Sequence, residues 1–270
     1  MKSKALLVGI NQYPDPRNSL RGCINDIVDM QHFISVTNRV YSTTQIKLLT
    51  DKAATKKGIL LQLEWLLEGI KPGDQILFHY SGHGAQLPCQ KIAGDVWEEK
   101  DGLDEIICPY DFDGSNATAI RDNEFAALFA RIPKGVHFIW ISDSCHAEDL
   151  SRDPFVIGDE SALRYRNYTG GFLRENIVGS VAAGAKRVAA NHLNGALLSA
   201  CASHELSADA YIENRFNGAF THYLIKNLKK HAAKMPMNQI IQLVDKDLAA
   251  NDYDQRPQTE GLLENKLFFL

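Results

Sequence analysis

Two short runs constrain this chain more than any other feature. Gln75-Ile76-Leu77-Phe78-His79-Tyr80 and Val136-His137-Phe138-Ile139-Trp140-Ile141 are aliphatic and aromatic almost throughout, without polar alternation. Each stops abruptly in small polar residues, Ser81-Gly82-His83-Gly84 and Ser142-Asp143-Ser144-Cys145-His146. A strand that does not alternate is covered on both faces, the condition of interior strands in a parallel sheet. A third run at 4–10 has the same character, and shorter ones at 46–49, 106–109, 196–200 and 265–270 read as further strands. Between them lie helical patterns at 21–36, 55–69, 122–132, 218–230 and 237–249, with Thr55 placed as an N-cap and Gly69 as a stop. This alternation predicts an α/β fold, a mostly parallel central sheet with helices on both faces. The stretch 86–115 reads as a polar excursion with one short strand, and 147–194 as loop.

Composition narrows the class. The chain has 270 residues, 45% hydrophobic and 23% charged, which suits a single domain with a substantial core. A net charge of −4 gives no reason to expect nucleic acid or an anionic membrane as partner. No run of about eighteen apolar residues occurs, and the first apolar run is broken at Asn11-Gln12, so a cytoplasmic location is the expectation. The five cysteines, Cys23, Cys89, Cys108, Cys145 and Cys201, are scattered with no CxxC pair, which suggests neither a zinc ribbon nor a disulfide framework.

In open α/β sheets, ligands bind beyond the carboxyl ends of the strands. His83 and Cys145 both fall there. A lone histidine in a turn usually makes only local hydrogen bonds, and a lone cysteine is usually a small buried hydrophobe. Together at two strand ends they form a nucleophile and base pair, with Gly84 and Cys145 positioned to offer backbone amides to an oxyanion.

Tyr80-Ser81-Gly82-His83-Gly84 and Asp143-Ser144-Cys145-His146 resemble the two signature segments of metacaspases and their bacterial relatives, the orthocaspases, within the caspase-like cysteine peptidases (peptidase family C14, clan CD). The resemblance runs from Leu7-Val8-Gly9-Ile10-Asn11 and Leu20-Arg21-Gly22-Cys23-Ile24-Asn25-Asp26, through Asp101-Gly102-Leu103-Asp104-Glu105, to Ser199-Ala200-Cys201 and Ser207-Ala208-Asp209. The Gln-Ala-Cys signature of vertebrate caspases is absent.

The resemblance implies a caspase-like fold in one domain: a large-subunit-like part over 1–150, a linker over 151–194 and a small-subunit-like part over 195–270. It implies a cysteine endopeptidase using His83 and Cys145, acting on polypeptides as a monomer without an organic cofactor. It also implies that Asp26 and Asp143, with Ser81, form an acidic pocket beside the nucleophile. Such a pocket favours Arg or Lys before the cleaved bond. Asp209 is a further acid read as a surface carboxylate, and His146 a supporting residue only, because adjacent side chains leave a strand in opposite directions. Asp104 and Asp122 match positions at which many metacaspases bind calcium. Asn123 and Arg152 stand where further acids belong, with Asp149 and Asp153 flanking Arg152 as replacement ligands, so a calcium site at Asp104 and Asp122 is weakened and calcium dependence is not the leading expectation. Family members often cut themselves between the two parts, and 147–194 holds Arg164, Arg166, Arg174, Lys186 and Arg187. The rival readings are a zinc site from His79, His83, Cys145 and His146, and a catalytically latent caspase-like scaffold.

Overall fold

The structure, a computed structural model, describes residues 1–89, 103–145, 163–168, 194–202, 205–231, 234–261 and 266–270. Strands β1 (Ser3–Gly9), β2 (Ile46–Thr50), β3 (Gln75–Ser81), β7 (His137–Asp143), β9 (Ala196–Ser199) and β12 (Gln258–Gly261) build a central sheet in the order β12-β9-β7-β3-β1-β2. Every pairing in it is parallel except β12 against β9. The expected architecture is therefore present.

Side-chain alternation along the buried strands assigns the helices to faces. Leu7, Leu77, Ile139 and Leu198 share one core with α1 (Cys23–His32), α4 (Ala219–His231) and α5 (Met237–Ala249). Leu6, Val8, Ile76, Phe78 and Phe138 point the other way, onto α2 (Lys56–Leu67) and α3 (Asp122–Phe129). Each fully buried aliphatic or aromatic side chain contributes about 1.5–3 kcal/mol, so both faces hold the sheet. Thr55 caps α2 as predicted, its side chain accepting from the Gly58 amide, and Gly69 follows the helix with φ of 65°.

Two small sheets lie beside the main one. Strands β4 (Gly84–Pro88), β5 (Leu103–Ile107) and β6 (Ile120–Arg121) form the first, and β8 (Arg164–Tyr165), β10 (Ala208–Ile212) and β11 (Arg215–Gly218) the second. Only β5 was expected, in part. The others are two to five residues long and mostly mixed in burial, with too little periodicity to register as strands. The expected strand at 265–270 is corrected: Lys266–Leu270 is not strand, and Phe268 and Phe269 plug the core against the Phe33 ring at centroid distances of 6.2 and 5.7 Å. The sheet edge is taken instead by the polar β12, which packs only partly. Among the described residues, no helix is long and apolar enough to cross a membrane.

Candidate active site

Register brings the two sequence signatures together. In the parallel pairing of β3 with β7, Ser81 stands opposite Asp143. His83 and Cys145 each follow two residues later, so the two chains leave the sheet side by side. The position of one relative to the other is inherited from the most buried part of the sheet, where all seven residues of β3 are buried.

His83 is anchored on three sides. Its backbone amide donates to the Tyr13 hydroxyl at 2.9 Å, its carbonyl accepts from Tyr80 Oη at 2.7 Å, and Nε2 lies 2.7 Å from the Asn18 carbonyl. A carbonyl only accepts, so Nε2 carries the proton and the Nδ1 lone pair remains for the site. Among the described residues Nδ1 makes no hydrogen bond. Burial drives the imidazole pKa down to about 4, against the Asn18 carbonyl, so the ring is neutral near pH 7. Gly82 is required by close approach, because a Cβ there would lie 2.6 Å from Tyr80 Oη. Cys145 is fully buried and accepts from the Ser207 amide, with a nitrogen-to-sulfur distance of 2.6 Å.

The pocket beside this pair is acidic and already filled. Asp26, in the first turn of α1, accepts from Ser81 Oγ at 2.8 Å and from the Gly218 amide at 2.9 Å. Asp143 accepts from Ser207 Oγ at 2.7 Å and from Thr221 Oγ1 at 2.6 Å. Between them sits Arg166, its guanidinium fully buried. Nη1 donates to Ser81 Oγ at 2.7 Å and to the Asp143 carbonyl at 3.1 Å, and Nη2 to Asp26 Oδ2 at 2.7 Å. The Asp143 carboxylate lies 3.2 Å away, and Asp209 Oδ1 completes the ring at 3.4 Å.

Asp209 is thus corrected from a surface residue to a fully buried one, also held by the amides of Arg21 and Gly22 at 2.8 Å. Burial raises the Asp26 pKa to about 7, with Arg166 pulling it back down and Asp143 pushing it further up. Burial alone works against charge on Arg166, yet the surrounding carboxylates keep it firmly protonated. Gly218 permits this packing: a Cβ there would lie 2.3 Å from Asp143 Oδ2 and 2.6 Å from Arg166 Nη2.

The backbone around Arg166 is held as closely as its side chain. Its carbonyl oxygen receives the amides of Gly84 at 3.0 Å and Cys145 at 3.4 Å. Its amide donates to the Ser207 carbonyl at 3.0 Å, and Arg164–Tyr165 pair antiparallel with β10. Beyond Arg166, Asn167 bridges to Gly84 in parallel, and the Tyr168 amide donates to the Gly84 carbonyl at 3.2 Å. Residues 164–168 therefore cross the site as the short β8, a bend at Arg166 and a bridge at Asn167, hydrogen-bonded on both sides of the Arg166–Asn167 bond.

Other expected site residues lie elsewhere. Asp104 is buried and paired with Arg121, which also reaches Asn116. Asp122 opens α3, and its Oδ1 accepts from the Asn123 amide at 2.8 Å. Among the described residues no group of three or more His, Cys, Asp or Glu is placed to hold a metal ion, and Asp104 is committed to Arg121; Asp149 and Asp153 lie outside the described residues. His79 of the zinc alternative is a buried strand residue 3.4 Å from Thr221 Oγ1, its pKa driven to about 4 by burial against Asp143. His146, Arg152, Arg174, Lys186 and Arg187 lie outside the described residues. Sequence reasoning missed Tyr13, Asn18, Ser207, Gly218 and Thr221. Several of these act through backbone atoms, which leave no residue-type signal.

This architecture is caspase-like. The fold superposes on Caspase-1 from Spodoptera frugiperda with a TM-score of 0.61 at 11% identity, over 97% of this chain and 87% of that one. It superposes on a Geobacter sulfurreducens protein of known crystal structure with a TM-score of 0.71 at 24% identity, over 100% and 99% of the two chains. Residues 3–152 match the family model described as "Metacaspase, peptidase C14 domain". Metacaspase-1 of Coccidioides immitis is 32% identical over 95% of this chain and 61% of its own length. Metacaspase-1 of Meyerozyma guilliermondii is 31% identical over 95% of this chain and 68% of its own. The chain belongs to the metacaspase family, and spans somewhat over three-fifths of the length of the first of these relatives.

Proposed function

We propose that this chain is a cysteine endopeptidase that cuts polypeptides after Arg, and less readily after Lys. The observation that carries the reading is the seating of Arg166, with its guanidinium among three carboxylates and its carbonyl oxygen under two amides. A planar guanidinium offers donors to Ser81, Asp26 and Asp143 at once, where an ammonium has a compact point charge and reaches fewer acceptors. A substrate Asp or Glu in the same place would add a fourth buried negative charge.

In this reading the Cys145 thiol gives its proton to His83 Nδ1, and the sulfur attacks the carbonyl carbon after the basic residue. The developing negative oxygen is held by the amides of Gly84 and Cys145. The Ser207 amide donates to the same sulfur and holds it in place beside the histidine turn. The imidazolium then protonates the leaving amine, and His83 next draws a proton from the water that opens the thioester. The Asn18 carbonyl accepts from Nε2–H throughout and favours the transient charge on the ring.

The same contact supports a second reading, of a chain that is latent until opened. Arg166 fills the pocket, so a second polypeptide enters only after 164–168 lifts or is cut at Arg166–Asn167. The test is a fluorogenic panel with Arg, Lys, Asp and Asn before the reporter, run with wild type and Cys145→Ala while intact mass is followed. Arg and Lys hydrolysis that vanishes in Cys145→Ala supports the peptidase. Cleavage after Asp refutes the acidic pocket, and inertness of both the chain and the panel leaves the latent scaffold.

A further inference from the structure

The segment 164–168 continues past the bond at Arg166, and its last described residue is not on the surface. Tyr168 is only 7% exposed. Its ring meets Phe112 edge-on at 4.8 Å between centroids, and it approaches Tyr13 at 6.2 Å and the His83 imidazole at 6.0 Å, the latter at 86° between planes. Edge-to-face geometry of this kind sets the positive rim of one ring against the negative face of another. The Tyr168 hydroxyl donates to the Phe112 carbonyl at 3.3 Å.

The walls are held independently of Tyr168. Tyr13 donates to the Cys108 carbonyl at 3.2 Å and accepts from the His83 amide at 2.9 Å. Phe112 closes a turn in which its amide donates to the Pro109 carbonyl at 3.0 Å, and neighbouring Asp111 accepts from the Lys56 amide at 2.8 Å. The hollow is thus built from the turn before α1, the turn after β5 and the histidine itself. It takes the side chain two residues beyond the carbonyl that rests on Gly84 and Cys145, and the Gly84 backbone fixes that spacing through its contacts with Asn167 and Tyr168.

We infer that Tyr13, Phe112 and His83 form a leaving-side subsite for an aromatic residue, so that the preferred polypeptides carry Arg, any residue, then Tyr or Phe. The inference rests on the peptidase reading above and adds to it a second anchor, on the opposite side of the cleaved bond from the acidic pocket. Tyr is favoured over Phe modestly, through the carbonyl of Phe112. The subsite also ties recognition to the base, because the bound ring lies against the imidazole whose orientation the reaction needs.

The test uses the full-length chain and internally quenched peptides identical except at the second position after Arg, which is Tyr, Phe, Leu or Ala. Burying one aromatic ring against two or three others predicts kcat/KM for Tyr over Ala of roughly 30- to 100-fold, about 2–3 kcal/mol at 1.4 kcal/mol per decade. In Phe112→Leu, which keeps an apolar plug in the turn but removes the ring, the Tyr-to-Ala ratio should fall below about fivefold. A ratio near one in wild type, with cleavage after Arg intact, overturns the subsite and leaves the peptidase reading standing. A high ratio unchanged by Phe112→Leu overturns the assignment of its walls. Failure to cut any of the peptides after Arg overturns both readings.

Discussion

Arg166→Gln separates the closed form of the site from the open one. Arg166 makes its two shortest contacts at 2.7 Å, to Asp26 and Ser81, and lies 3.2 and 3.4 Å from the carboxylates of Asp143 and Asp209. Removing one partner of a buried ion pair costs about 3–5 kcal/mol where the other is left uncompensated. Here water relieves the carboxylates once the strand lifts, so the loss falls on docking and not on the fold. At 1.36 kcal/mol per decade the docking equilibrium shifts by roughly 150- to 5,000-fold. Arg166→Lys keeps the charge and should retain most of the docking, losing about tenfold. The assay is the progress curve for an Arg fluorogenic peptide, sampled in parallel by intact-mass spectrometry. Wild type should show a lag that ends as a 1–166 fragment accumulates, whereas Arg166→Gln should show neither lag nor fragment. Either of two results refutes the reasoning: a 1–166 fragment formed by Arg166→Gln at the wild-type rate, or a wild-type chain that stays whole and turns over substrate without lag.

Asp26→Asn and Asp143→Asn should each cut the preference for Arg over a neutral residue by about 10- to 100-fold, the worth of one charge-assisted contact, and an unchanged ratio would sink the pocket. Gly218→Ala drives a methyl into Asp143 and Arg166, so it should abolish both the fragment and peptide turnover while far-ultraviolet circular dichroism keeps its helical signal; wild-type rates would refute it. His79 is held neutral by burial, with a folded pKa of about 4 against 6.5 unfolded. The unfolded chain therefore takes the proton first: the residue's contribution is unaffected above pH 6.5 and is lost as pH falls toward 4, by up to about 3 kcal/mol. Urea midpoints of wild type and His79→Gln should diverge over that window, and parallel curves would exclude the effect. Because Asp104 is committed to Arg121, a chelator should change turnover less than about twofold, and a tenfold stimulation by millimolar calcium would overturn that expectation.

What the sequence disclosed, and what it hid, follows physical lines. The placing of His83 and Cys145 at one edge of the sheet was legible because long unalternating strands mark the interior of a parallel sheet, and such strands end at its ligand-binding edge. Asp26 and Asp143 were legible only through the resemblance to a family. Asp209 was misread because it sits in β10, five residues long and 187 residues from the Gly22 amide that it accepts from. No local pattern encodes that distance. Arg166 is one basic residue among five in a stretch whose sequence reads as loop, and nothing in its neighbours distinguishes it. The apolar Phe-Phe-Leu end imitated a strand because burial without a ladder has the same composition as burial within one. Polar β12 escaped because an edge strand with a wet face need not look hydrophobic.

The pairing of β9 with β7 has a further consequence. If the chain is severed after Arg166, its two pieces do not part. The C-terminal piece threads β9 and β12 into the sheet begun by the N-terminal piece, packs α4 and α5 beneath it, and wedges Phe268 and Phe269 against Phe33. It also carries Ser207, Asp209, Gly218 and Thr221, while His83, Cys145, Asp26 and Asp143 stay with the other. The nicked molecule is then a pair of pieces interlocked through a shared core, with the candidate site divided between them.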